Sequence, residues 1–382
     1  MSLLVISFDA IGDKVFESMA SDPKKYPAIA SFYKKLTYQN NVKTIFVSNT
    51  YPIHTSISTG KYPYQHGITS NILPAPNNNY RGPEKWAMEE KLIKTKTIWQ
   101  AATEKKLKTA AFLWPVTCGA KINWHMPEVH LLKGQKRIRE QLRHGSKMFQ
   151  IQSMLENKNL LNNITDIESS QPQLDNFTTA VASSLFKKKQ PDLALVHLIA
   201  YDHICHQTGP EPTQANDIDK LEIAKKAMND NLELLLDSWK GDVLIFSDHS
   251  QLQVNENINL NTLYRNENFL QLGGCAFGVR FDISLPEQYW FGRYLTKEEI
   301  HESGYSGKYT FGIAAKPGFN FGVKPFHGDH GYPTDYDNYS TFYGINKKIN
   351  YTNHLKKNVL DVTAIIAKEL NLDMDIIKEY GM

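Results

Sequence analysis

Three apolar runs lead straight into aspartates, and no other feature of the 382-residue chain constrains its fold as tightly. Leu3 to Phe8 runs to Asp9, Leu193 to Tyr201 runs to Asp202, and Val243 to Ser247 runs to Asp248. Near-continuous apolarity, rather than alternation, marks strands covered on both faces, as in a parallel sheet. A fourth run, Thr109 to Leu113, is stopped by Trp114-Pro115, because proline cannot donate to a ladder. Helical spacing falls between the runs, over about Thr97 to Lys106, Asp175 to Lys188 and Asp217 to Asp237. This alternation predicts an α/β fold, a mostly parallel sheet sandwiched by helices.

Two regions break the rhythm. Residues from about 130 to 173 are polar and rich in Gln, Asn and Lys, and their spacing predicts a helical excursion over the surface. Residues 256–324 carry short strand-like pieces, Cys275 to Phe281 and Tyr309 to Ala315, and a helix start at Thr296 to Glu299. The predicted organisation is therefore a core of residues 1–255 and 325–382 holding a small inserted α+β subdomain at 256–324.

Lys+Arg 43 against Asp+Glu 40 leaves a formal charge of +3, too balanced to indicate a nucleic-acid or membrane partner. No apolar stretch approaches the roughly 20 residues of a membrane-crossing helix, and Asp9 interrupts the N-terminal run before it resembles an export signal. The odd count of three cysteines, Cys118, Cys205 and Cys275, suits a reducing compartment. The expected location is cytoplasmic.

In open α/β sheets the ligand crevice lies outside the carboxyl ends of the strands. Three carboxylates delivered to that one edge repel each other unless a cation sits among them. Histidines accompany them at ligand spacing: His206 one helical turn after Asp202, His249 beside Asp248, and His327 and His330 flanking Asp329. Mixed imidazole and carboxylate donors favour Zn²⁺, with Mn²⁺ or Fe²⁺ as competitors, over Mg²⁺ or Ca²⁺. A hydroxyl-rich segment, Val47 to Gly60, supplies groups that a divalent metal could activate as nucleophiles. The residues themselves do not choose between Thr50, Thr55, Ser56 and Thr59.

The ordered motifs resemble the nucleotide pyrophosphatase/phosphodiesterase family of the alkaline phosphatase superfamily. They are Phe8-Asp9-Ala10-Ile11-Gly12, then Thr50-Tyr51-Pro52 with His54, then Thr59-Gly60-Lys61-Tyr62-Pro63 continuing to His66-Gly67. Trp114-Pro115, Asp202 with His206 and Gly209-Pro210, Ser247-Asp248-His249 and His330-Gly331-Tyr332 complete the series. The resemblance implies an alkaline-phosphatase-like fold and two zinc ions. Asp202, His206 and His330 would hold one, and Asp9, Asp248, His249 and the Thr50 hydroxyl the other. It implies in-line attack by Thr50 through a covalent phospho-threonine, with the Asn71 amide donating to a phosphoryl oxygen. It also implies a small phosphodiester or nucleotide substrate, with Tyr51 stacking on a nucleobase or other leaving group.

Departures from the family pattern remove no ligand. Cys205 stands where glycine is usual, Ser250 replaces a glycine, Asn49 a lysine and Ile53 an asparagine. Cys205 is expected to be a buried, inert thiol, and His54, His66 and His203 to be supporting or structural. Two other functions fit the same residues: C–P hydrolysis of a small phosphonate, as in phosphonoacetate hydrolases, and a non-catalytic metal-binding relic.

Overall fold

The computed structural model describes residues 2–73, 85–131, 135–161, 164, 171–265, 268–279, 285 and 287–382. Strand β1 (Leu3–Phe8) lies at the centre of a seven-stranded sheet of order β2-β14-β6-β1-β5-β3-β4. Its partners are β2 (Thr37–Val42), β3 (Thr109–Phe112), β4 (Trp124–Met126), β5 (Leu193–Leu198), β6 (Asp242–Ser247) and β14 (Thr341–Ile345). β6, β1, β5, β3 and β4 run parallel; at one edge β14 pairs antiparallel with β6 and β2 antiparallel with β14, so β14 alone is reversed in this sheet. All six residues of β1 and of β5 are buried, which is why both read as near-continuous apolar runs, broken only by the buried Ser7 and His197.

Two hydrophobic cores flank the sheet. Leu4, Ile6 and Phe8 pack with helices Gln173–Lys188 and Ala215–Ser238 on one side. Leu3 and Val5 pack with helices Thr50–Thr59 and Leu360–Glu369 on the other. The period-2 alternation of β1 thus feeds two helical layers, giving an α/β sandwich with helices on both faces of the sheet.

The remaining strands form two small sheets. β7 (Leu252–Ile258) pairs with β12 (Gly318–Phe321) and β13 (Gly328–Asp329). β8 (Leu270–Gln271), β9 (Cys275–Gly278), β10 (Phe291–Tyr294) and β11 (Phe311–Ala315) make an antiparallel sheet of order β10-β11-β9-β8. The helix Lys297–Glu302 starts with the capping box of Thr296 and Glu299. The excursion holds helices Arg137–His144, Lys147–Glu156 and Lys158–Leu161, and part of it lies outside the described residues. Among the described residues, no helix is long and apolar enough to cross a membrane.

One expectation is corrected. The apolar run to Tyr201 is not all strand: β5 ends at Leu198 and the helix Ala200–Thr208 begins within it. Asp202 therefore sits in the first turn of a helix, not at a strand end, and His206 follows it on the same face at i+4.

Candidate metal centre

Asp9 leaves β1 with its amide bonded to Leu198 O at 2.9 Å, so the adjacent parallel strand holds it at the sheet edge. Asp248 leaves β6 and accepts Ala10 N–H at 3.1 Å. Ala10 takes φ 62°, which turns the chain sharply behind Asp9 and brings that amide round. Thr50 opens the helix Thr50–Thr59, and its Oγ1 lies 3.3 Å from His249 Nε2. His206 Nε2 lies 3.3 Å from Asp202 Oδ2. Donor atoms of Asp202, His206 and His330 converge, as do those of Asp9, Asp202 and His249, so Asp202 belongs to both groups.

The other hydroxyls of the Thr50 helix are committed elsewhere. Thr55 Oγ1 donates to Tyr51 O at 2.8 Å and Thr59 Oγ1 to Thr55 O at 2.7 Å, the back-bonding common for helical threonine. Ser56 Oγ pairs with His66 Nε2 at 2.9 Å, and Ser58 Oγ accepts from Trp114 Nε1 at 3.0 Å. Of the four hydroxyls the residues left open, Thr50 is the one brought to the metal-ligand groups.

Each imidazole of the cluster is oriented through Nδ1. His206 Nδ1 bonds Gly328 O at 2.8 Å, His249 Nδ1 bonds Ser250 O at 3.2 Å, and His330 Nδ1 bonds Asn49 Oδ1 at 3.0 Å. Carbonyl oxygens accept, so Nδ1 carries the proton and Nε2 is turned inward as a lone-pair donor. Burial pushes His249 down to about 4 and His330 down to about 3, so both rings stay neutral. His249 Nε2 consequently faces Asp9 Oδ1 at 3.4 Å and Asp248 Oδ2 at 3.3 Å, acceptor against acceptor. Among the described residues, both of those buried oxygens lack a hydrogen-bond partner. Such a geometry is unfavourable unless a proton or a metal cation lies between these atoms.

The carboxyls respond to the same crowding. Burial and the nearby Asp248 raise Asp9 well above its ordinary range, and burial pushes Asp248 up to about 7. For Asp202, burial works upward, but the His206 imidazole beside it outweighs that and holds the carboxyl below its usual value. Burial opposes the charge on His206, yet Asp202 carries it up to about 9. A proton thus takes the place between these two when no metal does. The donor set and its orphaned oxygens fit a divalent metal held by mixed nitrogen and oxygen donors.

A cavity of about 510 Å³ opens over the cluster. Thr50, Asn71, Asp9, Asp202 and His330 line it, and Trp86, His130 and Lys324 are among its other lining residues. Asn71 Oδ1 accepts Tyr51 N–H at 2.9 Å, which leaves the Asn71 NH₂ as donor. Tyr51 also lines the cavity; its ring is 0% exposed and packs edge-on against Trp86, with ring centroids 5.3 Å apart. Beside it, Trp86 and His130 stack parallel within 2° at 3.5 Å, with His130 Nε2 3.0 Å from Glu128 Oε1.

Two contributors, His197 and Gln251, had no signal in the sequence. His197, within β5 and fully buried, lies 3.2 Å from Asp9 Oδ2. Gln251 Nε2 donates to Asp202 Oδ1 at 2.6 Å and to its carbonyl at 3.1 Å. His54 bonds Ser7 Oγ and Thr50 O, each at 2.9 Å, and so braces the Thr50 helix from beneath. Cys205 is fully buried, and burial raises its thiol, which keeps it inert. His327 is exposed, and His330 rather than His327 enters the ligand group.

The model of the type I phosphodiesterase/nucleotide pyrophosphatase family matches residues 3–333. Human ectonucleotide pyrophosphatase/phosphodiesterase family member 1 is 32% identical over 106 residues, 27% of this chain and 11% of that protein. Human bis(5'-adenosyl)-triphosphatase ENPP4 is 26% identical over 122 residues, 30% of this chain and 25% of that protein. The chain thus matches only a minor part of these relatives' length. The solved structure of murine ectonucleotide pyrophosphatase/phosphodiesterase 5 superposes with a TM-score of 0.65 at 17% identity, covering 98% of this chain and 96% of that one. Phosphonoacetate hydrolase from Sinorhizobium meliloti 1021 gives 0.70 at 14% identity, covering 97% and 96%. The chain belongs to the type I phosphodiesterase/nucleotide pyrophosphatase family.

Proposed function

We propose that this protein is a two-zinc hydrolase cleaving phosphodiester or pyrophosphate bonds in small, nucleotide-type substrates, with Thr50 as nucleophile. The observation that carries the reading is the neutral His249 facing two unpartnered buried carboxylate oxygens, with the Thr50 hydroxyl 3.3 Å away. Asp202, His206 and His330 would hold one metal, and Asp9, Asp248, His249 and Thr50 the other. When bound, the pair supplies charge that eases loss of the hydroxyl proton and stabilises the attacking and leaving oxygens.

Thr50 Oγ1, at the positive end of its helix, attacks phosphorus in line. The bond to the leaving oxygen breaks, and that group departs with the bonding pair. A threonine phosphoester remains, retaining the other alcohol of a diester, and water at the same phosphorus then frees Thr50. Asn71, held by Tyr51 N–H, donates its NH₂ to a phosphoryl oxygen and stabilises the equatorial charge. A neutral amide suits the single charge of a diester. The cavity exceeds what a bare phosphoryl group needs and leaves room for a leaving group. Three buried, unpaired cysteines fit a reducing, cytoplasmic setting.

Turnover of bis(p-nitrophenyl) phosphate against phosphonoacetate tests the assignment. Diester cleavage that disappears in Thr50→Ala, with zinc retained, is the expected outcome. Turnover of the phosphonate alone would replace the assignment with C–P hydrolysis, and zinc binding without turnover of either would leave a relic.

A further inference from the structure

The helix that carries Asp202 and His206 begins without a cap of its own. Its N-cap residue, Ile199, is apolar and gives no side-chain bond, although the first amides of a helix have no intrahelical acceptor. The site is buried, so solvent does not serve those amides freely: Ile199 is 6% exposed and Ala200 is 3% exposed. Asp175, in the first turn of the helix Gln173–Lys188, supplies both acceptors from outside. Its Oδ1 accepts Ile199 N–H at 3.1 Å and its Oδ2 accepts Ala200 N–H at 2.9 Å.

We infer that Asp175 is a positioning residue for the metal centre, gripping the start of the ligand helix so that Asp202 and His206 stand where the metal requires them. The inference rests on the two-metal reading above. Two oxygens on two successive amides fix the helix both along and around its axis, which one bond would not. Asp202 lies in that first turn, where an uncapped helix frays, and His206 is one turn further on. Gln251 holds Asp202 through its carbonyl and Oδ1, so Asp175 and Gln251 secure the same turn at different points. Asp175 is 3% exposed, and the helix N-terminus favours its negative charge. Burial raises its carboxyl to about 7, against the pull of the two amides.

The test is zinc titration of the metal-stripped full chain against a chromophoric chelator, with Co²⁺ absorption as a second readout. Wild type should show two sites. Asp175→Asn should weaken one of them by about 10-fold and alter the visible Co²⁺ bands. Asp361→Asn is the control for lost stability, because Asp361 is likewise a buried acceptor of backbone amides, from Lys356 and Asn358. It should leave both zinc affinities unchanged. Should Asp175→Asn fold poorly, Asp175→Glu keeps the charge on a longer stem and is read the same way. Two intact wild-type sites with both affinities of the Asp175 variants within twofold, or falling in step with Asp361→Asn, overturn the inference alone. Wild-type protein that binds no zinc overturns the two-metal reading and this inference with it.

Discussion

Replacing Asn49 by leucine isolates the orientation of one metal ligand from the stability of the nucleophile helix. Asn49 is the N-cap residue of Thr50–Thr59 but makes no side-chain cap bond, and its backbone carbonyl still accepts Ile53 N–H at 3.1 Å. What the substitution removes is the 3.0 Å bond from His330 Nδ1. A buried donor left without an acceptor costs about 1–3 kcal/mol. The ring can evade that cost only by rotating or by moving its proton to Nε2, and either step takes the lone pair away from the metal. Zinc affinity at the Asp202, His206 and His330 group should therefore fall about 10- to 100-fold. Competition titration with a chromophoric chelator reads this directly, with the melting temperature of the metal-free protein staying near wild type. Both zinc affinities within twofold of wild type would refute the claim that Asn49 sets the His330 tautomer.

Asn71→Asp keeps an oxygen for Tyr51 N–H and removes the amide donor, so it should lower kcat by about 10²–10³ while the fold melts as before. A loss confined to KM would contradict a role in the transition state. In metal-stripped protein His206 should titrate near 9, seen by NMR of its ring nitrogens, because Asp202 holds its proton. The sign follows: that contact stabilises the metal-free fold fully below the ordinary histidine value of 6.5 and is lost as pH rises through about 9. Zinc should abolish the titration, and a His206 that titrates near 6.5 without metal would contradict the pairing.

The sheet edge and its ligands were legible because strands buried on both faces must be apolar throughout, so the first acid after each run stands out at the carboxyl end. Asp9 and Asp248 are of this kind. Asp202 is legible only in part: Ile199, Ala200 and Tyr201 prolong the apolar run, yet they begin a helix, and residue type alone does not separate a buried strand from a buried helix turn. The supporting shell was illegible. Asn49 looks like a helix cap but serves His330, His197 looks like strand interior but backs Asp9, and Asp175 looks like an ordinary first-turn acid but caps a different helix. Each of these roles is a tertiary contact between segments far apart in the chain, and no local spacing encodes it. Tyr51 is legible as a neighbour of the nucleophile and does line the cavity, but its edge-on packing against Trp86 is again a tertiary contact that no local spacing encodes.

The central claim is covalent attack by Thr50, and peptide mass spectrometry of protein acid-quenched during turnover of bis(p-nitrophenyl) phosphate addresses it most directly. The predicted result is a nitrophenyl phosphoester on the peptide carrying Thr50, absent from Thr50→Ala and from metal-stripped protein. Full turnover by Thr50→Ala, or the adduct on another residue, would contradict the account.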